Sequence, residues 1–335
     1  MALFDTHVVV DWSARSRPGP VKGAPDSIWW AVARDGVVDE PQTYARTRHD
    51  AIAALVELVA TERKAERRVL LGFDFPFGYP KGVAHDLTGN ANAFALWQWL
   101  ADRIKDDERN RNNRFAVATE INRIYPGEGP CWGRPEKWDY PEVSTHGNDR
   151  EHPPPRRITE RHATGAKTVW QLHYTGSVGS QTLLGIPALQ QLRNARALRG
   201  QVTVWPFEGG LALPDKPVVF AEVYPSLLQN AVRTQMRKGE VIDCAQVRVN
   251  ARAFARLDAA GGLTPLFGGS PRLESEQREQ VEEEGWILGV GFESELHEAA
   301  KDMGPSFIGA LRDAVIRYDD PFEPAAPVSD CSAHQ

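Results

Sequence analysis

Residues 69–80 read VLLGFDFPFGYP. VLLGF is an unbroken apolar run of strand length, and Asp74, Pro76 and Gly78 end it. Immediately upstream, from Thr47 to about Arg67, Ile52, Leu55, Val56, Leu58 and Val59 recur at helical spacing with charges on the other face, which predicts an amphipathic helix. Further upstream lies HVVVD (7–11), then the loop SARSRPGPVKGAPD (13–26), which cannot continue a strand. SIWWAVA (27–33) and VVDEPQTY (37–44) follow as two strands joined by the hairpin pair Asp35-Gly36. The predicted order is three strands, a helix and a strand. A helix between the third and fourth strands is a crossover, so part of the sheet must be parallel and covered on both faces. The fold class is therefore α/β with a mixed sheet.

Past Pro80 the text changes. Helical segments are expected around 91–104 and 114–124, followed by a stretch of Gly, Pro, His and Arg from Pro126 to about Gly165. Strand character returns at VTVWP (202–206) and VVFAEVY (218–224), and a helix is expected from Asp243 or Cys244 to about Leu257. With 335 residues there is room for one large domain or two ordinary ones. We expect one, over 1–320. Its core is 1–80 and 200–265, its insertion about 81–200, its C-terminal helical part 266–320, and 321–335 is a flexible tail. The insertion is expected to stand over the carboxyl ends of the strands, with part of 140–165 poorly ordered, because a Pro- and Arg-rich stretch builds no core of its own.

Composition narrows the functional classes. Hydrophobic residues at 41% and charged residues at 25% match an ordinary globular chain rather than a disordered one. No apolar run reaches the ~18 residues of a membrane span, and the N-terminus enters strand-like sequence with no secretory pattern. Cys131, Cys244 and Cys331 are few and scattered, which suggests neither a disulfide framework nor a Cys-based zinc site and fits a reducing, cytoplasmic compartment. The net charge of −6 means that any grip on phosphate must be local.

Three apolar strands carry an acid at or near their carboxyl ends: Asp11, Asp74 and Glu222. Ligands of open α/β sheets bind there, so these side chains can converge. Clustered carboxylates repel unless a cation or shared protons intervene, and oxygen-only donors suit Mg²⁺ or Mn²⁺. Any one of these acids alone is explained as a turn or helix cap. Asp243, in GEVIDCAQVRVNARAF, is the fourth candidate, with helix N-capping as its competing role. The same helix offers Arg248 and Arg252, one turn apart, for a phosphate or an acid.

Other segments supply candidate substrate contacts. TGSVGS (175–180) precedes an apolar helix and reads either as an ordinary capped helix start or as a loop that holds phosphate on backbone N–H groups, with Ser177 and Ser180 in reach, but it lacks the ending of a P-loop. NRNNR (110–114) and Arg123 place Arg114 and Arg123 near a helix, with Glu120 a natural partner for Arg123. His146, His152, His162 and His173 match no zinc spacing. Arg150, Arg156, Arg157, Arg161 and Lys167 make their stretch locally basic, as in a loop that closes on an anion. The acid-rich ESEQREQVEEE (274–284) reads as a solvated helix face. Of the ten Trp, Trp97, Trp99, Trp132, Trp138 and Trp170 crowd the insertion, either as core or as surface for stacking a heterocycle. No Gly-x-Ser-x-Gly elbow occurs.

VVVDWSA, LLGFDFPFGYP, FAEVYPSLL and the Asp243 helix together resemble the ribonuclease-H-like superfamily. The pattern is similar to its DUF429 type: Asp after strand one, Asp-x-Pro after strand four, Glu-x-x-Pro late in the chain. The wording NNRFAVATEIN, GSVGSQTLLGIPAL and EEEGWILGVG resembles a bacterial family labelled molybdopterin-guanine-dinucleotide synthesis or cobalamin-biosynthesis protein. The first resemblance implies a ribonuclease-H-like sheet with Asp11 and Asp74 as core ligands of Mg²⁺ or Mn²⁺, and Glu222 and Asp243 completing the set. It implies a nuclease-like hydrolase of phosphodiesters acting on a phosphate-containing small molecule or single-stranded nucleic acid. The second implies a nucleotide- or pterin-cofactor-binding accessory protein without hydrolysis.

Overall fold

The computed structural model describes residues 2–147 and 150–301. The sheet is made of β1 (Thr6–Asp11), β2 (Ile28–Arg34), β3 (Val37–Val38), β4 (Thr43–Ala45), β5 (Val69–Phe73), β6 (Val202–Val204) and β7 (Val218–Glu222). The helix α1 (Arg48–Lys64) connects β4 to β5. Between β5 and β6 come α2 (Val83–Thr88), α3 (Ala93–Arg103), α4 (Arg114–Asn122), α5 (Ile158–His162) and α6 (Gly179–Asn194). After β7 come α7 (Gln229–Gln235), α8 (Ile242–Ala259), α9 (Ser275–Glu284) and α10 (Glu293–Ala300). The expected tail 321–335 and the end of the C-terminal part lie outside the described residues. No helix among the described residues is long and apolar enough to cross a membrane.

The strand order is β3-β2-β1-β5-β7-β6, with β4 also on β2. β1, β2 and β3 are antiparallel, whereas β1, β5, β7 and β6 run parallel. The crossover through α1 is what makes β5 parallel to β1. Both faces are buried, and the two-residue pleat sorts them: Val8, Val10, Leu71 and Phe73 point to one core, Val9, Leu70 and Val219 to the other. The first core takes α1, α3 and α6, the second α8 and α10. The expected strand 37–44 is broken into β3 and β4. Asp39 still donates its amide to the Val32 carbonyl (2.8 Å) while its carboxylate pairs with Arg34, but Pro41 has no N–H for the ladder.

The stretch 150–165 is folded, and residues 148–149 of the part expected to be poorly ordered lie outside the described residues. Arg157, Ile158, Thr159 and Glu160 are buried. The carbonyls of Pro154 and Pro155 accept from Trp170 Nε1 (3.0 Å) and Thr168 Oγ1 (2.6 Å). The segment builds no core alone but borrows one, because the acids of 274–284 are not all solvated. Glu284 is fully buried and accepts the amides of Lys81 and Ile158, each at 2.7 Å, while Glu283 accepts that of Gly82 at 2.8 Å. These carboxylates satisfy N–H groups that burial would otherwise leave unpaired.

Candidate functional site

The register Val10↔Phe73 sets the ends of β1 and β5 level, so Asp11 and Asp74 emerge side by side. Asp74 donates its amide to the Val10 carbonyl (3.2 Å), its Oδ1 accepts the Trp12 amide (2.7 Å), and the Asp11 and Asp74 carboxyls hydrogen-bond to each other. Asp11 shares the pleat face of Val9, the face that α8 covers. There Asp243 approaches, accepting the backbone amides of Asp26 and Ser27. Val241, not Asp243, is the N-cap of α8; Asp243 is the second helical residue, where the helix dipole favours an anion.

The electrostatics are those of crowded acids. Burial, then the charges of Asp74 and Asp243, pushes Asp11 well above the usual carboxylate range. Burial also brings Asp74 up to about 7, with Asp243 adding to the rise. Asp243 is raised chiefly by burial, and Asp26 adds to it. Its Oδ2 is buried without a hydrogen-bond partner among the described residues. An unpaired, desolvated carboxylate oxygen on an acid whose charge acts on two others is costly unless a proton or a cation joins it. Among the described residues no group of three or more His, Cys, Asp or Glu side chains is preset in metal-holding geometry. The donor set nonetheless suits a hard divalent cation: Asp11, Asp74 and Asp243 supply only oxygens, and one of those oxygens has no other partner.

These acids floor a cleft of about 1070 Å³ whose walls hold Arg15, Arg17, Arg114, Lys167, the loop 173–178 and Gln181. Gln181 Nε2 donates to the Trp12 carbonyl (2.7 Å), tying α6 to the end of β1. Of the sequence-predicted contacts, Arg114, Ser177 and Ser180 line the cleft. Ser180 Oγ accepts from Arg114 Nε (2.9 Å) and donates to the Leu172 carbonyl (2.5 Å), so it positions the guanidinium. Burial, with the charge of Arg48 second, lowers Arg114 to about 10.

The remaining candidates are elsewhere. Glu222 is paired in register with Phe73, one step short of Asp74 and on the opposite pleat face from Asp11. It points toward the insertion, where Arg157 holds both its oxygens (2.8 and 2.7 Å) and the Phe77 amide donates to Oε2 (3.1 Å). Its place in the metal set is therefore withdrawn. Arg248 is buried against Glu240 (2.9 and 2.8 Å) and the Gln235 carbonyl, and Arg123 is held by Glu142 on the surface. Neither lines the cleft. Glu120 pairs with Arg103 (3.2 Å), not with Arg123. The histidines stay apart, His152 on Asp86 and His162 on the Trp286 ring, and only His173 reaches the cleft. Arg157 is locked in its ion pairs, so of the basic stretch Lys167 is the residue that faces the cleft.

Two residues passed unnoticed in the sequence. Asp26 lines the cleft in a left-handed conformation (φ 55°), and its charge acts on both Asp11 and Asp243. The hairpin pattern contained the signal: the first residues of a strand antiparallel to β1 lie beside the end of β1, here Trp29 opposite Asp11. Arg48 is almost fully buried on Asp106 and donates to the carbonyls of Ser13 (3.0 Å) and Arg15 (2.9 Å), propping the loop that carries Arg15 and Arg17. Set against known protein families, curated proteins and solved structures, the chain matches none.

Proposed function

We propose that this chain is a Mg²⁺- or Mn²⁺-dependent hydrolase of phosphodiesters built on a ribonuclease-H-like core of the DUF429 type. The strand order and the positions of the acids support it: an antiparallel β3-β2-β1 meander, parallel β5 and β7, and aspartates at the end of β1, after β5 and at the start of α8. The observation that carries the reading is the buried, unpartnered Oδ2 of Asp243 in the same cleft as Asp11 and Asp74.

Asp11, Asp74 and Asp243 would hold the metal, with Asp26 as a further negative charge beside them. When bound, the metal supplies the positive charge that offsets charge developing on the phosphate oxygens. Arg114 and Lys167, which line the same cleft with the loop 173–178, would bind and orient the phosphate.

The test is Mn²⁺-dependent cleavage of small phosphodiesters and short single-stranded oligonucleotides. Asp11→Asn should abolish turnover while the protein stays folded, since an amide keeps the carboxylate's shape and loses its charge. A folded wild type without metal-dependent turnover across that panel would overturn the hydrolase reading in favour of a nucleotide- or pterin-cofactor-binding accessory protein.

A further inference from the structure

Beside the acidic cleft lies a second pocket of about 510 Å³, a volume that suits one small ligand. Ser16, Arg114 and Trp138 line both, so the two spaces adjoin across these residues. The walls of the second pocket hold Phe115, Trp138 and Tyr140, with Arg111, Asn112 and Asp139 as polar lining. Trp138 is 41% exposed, whereas Trp97 and Trp170 of the same insertion are buried core. Its indole packs edge-on against Phe115 (4.9 Å, 76°), and its backbone is pinned by Pro135 and Arg134. A rigid, half-open indole is surface for stacking rather than core.

The divide carries a second observation. Arg114 is more than nine-tenths buried and bonds only neutral groups: Ser180 Oγ, Ser16 Oγ (2.9 Å) and Asn112 Oδ1 (2.7 Å). It forms no ion pair among the described residues. A buried guanidinium without a carboxylate partner is expensive unless an anion joins it, and Nη2, which none of these bonds uses, can donate to a phosphate oxygen.

We infer that the second pocket is a nucleobase subsite: a nucleotide sits with its base against Trp138 and its phosphate on Arg114, facing the aspartates. The inference rests on the proposed reading for the direction in which the phosphate faces, but it concerns binding and is tested without turnover.

The experiment is equilibrium binding to the full chain carrying Asp11→Asn, so that nothing is consumed, followed by tryptophan fluorescence and calorimetry. The probes are the nucleoside 5′-monophosphates, ribose 5-phosphate and inorganic phosphate. The monophosphates should bind at least about tenfold more tightly than ribose 5-phosphate, the contribution of one stacked base. Trp138→Ala should erase that advantage and leave ribose 5-phosphate unchanged, whereas Arg114→Met should weaken both by a similar factor. Equal affinity for nucleotide and sugar phosphate, or an undiminished advantage in Trp138→Ala, overturns the subsite. Trp138 is exposed, so its variant decides the matter even if Arg114→Met fails to fold. A 5′-phosphorylated oligonucleotide that binds more tightly than the mononucleotide assigns the subsite to a strand end; weaker binding assigns it to a free nucleotide. The subsite stands in either case. A folded wild type that shows no Mn²⁺-dependent turnover, with nucleotide binding intact, would sink the hydrolase reading alone.

Discussion

Replacing Asp74 with asparagine should make the metal-free protein more stable at pH 8, although it removes a buried polar contact's charge. The folded carboxyl titrates at about 7 against an ordinary 3.8, mainly because it is buried. Between those values the native state binds more protons than the unfolded chain, so stability is fully present below about pH 4 and is lost as pH rises through 7. The gap corresponds to a ceiling of about 4 kcal/mol above pH 7. Asp11 and Asp243 share the same strain, so a gain of roughly 2 kcal/mol for the single variant is the working figure. Asparagine retains Oδ1 for the Trp12 amide, 2.7 Å away, and offers an N–H to the Asp11 carboxylate, so local packing is spared. In thermal melts with chelator at pH 8 the variant should melt higher by roughly 3–6 °C, and at pH 4 the difference should vanish. With Mn²⁺ added the order reverses, because the wild type gains from binding and the variant does not. A variant less stable than wild type in chelator at pH 8 would refute the crowded-acid account of the cleft.

Two further outcomes follow from residues that left the predicted site. Glu222→Gln should destabilise the fold by about 3 kcal/mol, because it strips a buried guanidinium of a full counter-charge, and should leave Mn²⁺ affinity unaltered; melts and metal titrations read the two effects separately, and a lost metal affinity would restore Glu222 to the ligand set. Arg123→Ala breaks only an exposed pair with Glu142, which is worth about 0–1 kcal/mol, so turnover and melting should stay near wild type. A tenfold drop in turnover would place Arg123 in the substrate path after all.

The amino-acid sequence determined the elements and much of the site because both are written in short-range periodicity. The apolar run 69–73, the helical repeat of 52–59 and the hairpin pair Asp35-Gly36 each identify an element from neighbours within a few residues. Once α1 is a crossover, β5 must lie parallel to β1, and two strand-end acids in one register come level. Asp11 and Asp74 were legible for that reason, and Asp243 because it stands in the first turn of a long helix after β7.

Tertiary structure alone decided which polar group meets which. Glu222 carries the same local signature as Asp74, yet a single register step turns it to the other face of the sheet, toward Arg157, 65 residues away in the chain. Glu284 looked like solvated helix, but its carboxylate satisfies the amide of Ile158 across a separation of 126 residues. Asp26 entered the cleft through the antiparallel pairing of β2 with β1, and Trp138 stayed open while Trp97 and Trp170 were covered. Burial faces repeat along the chain and can be read from it. The partner of a buried charge is set by how distant segments pack, and no local pattern of residues records that distance.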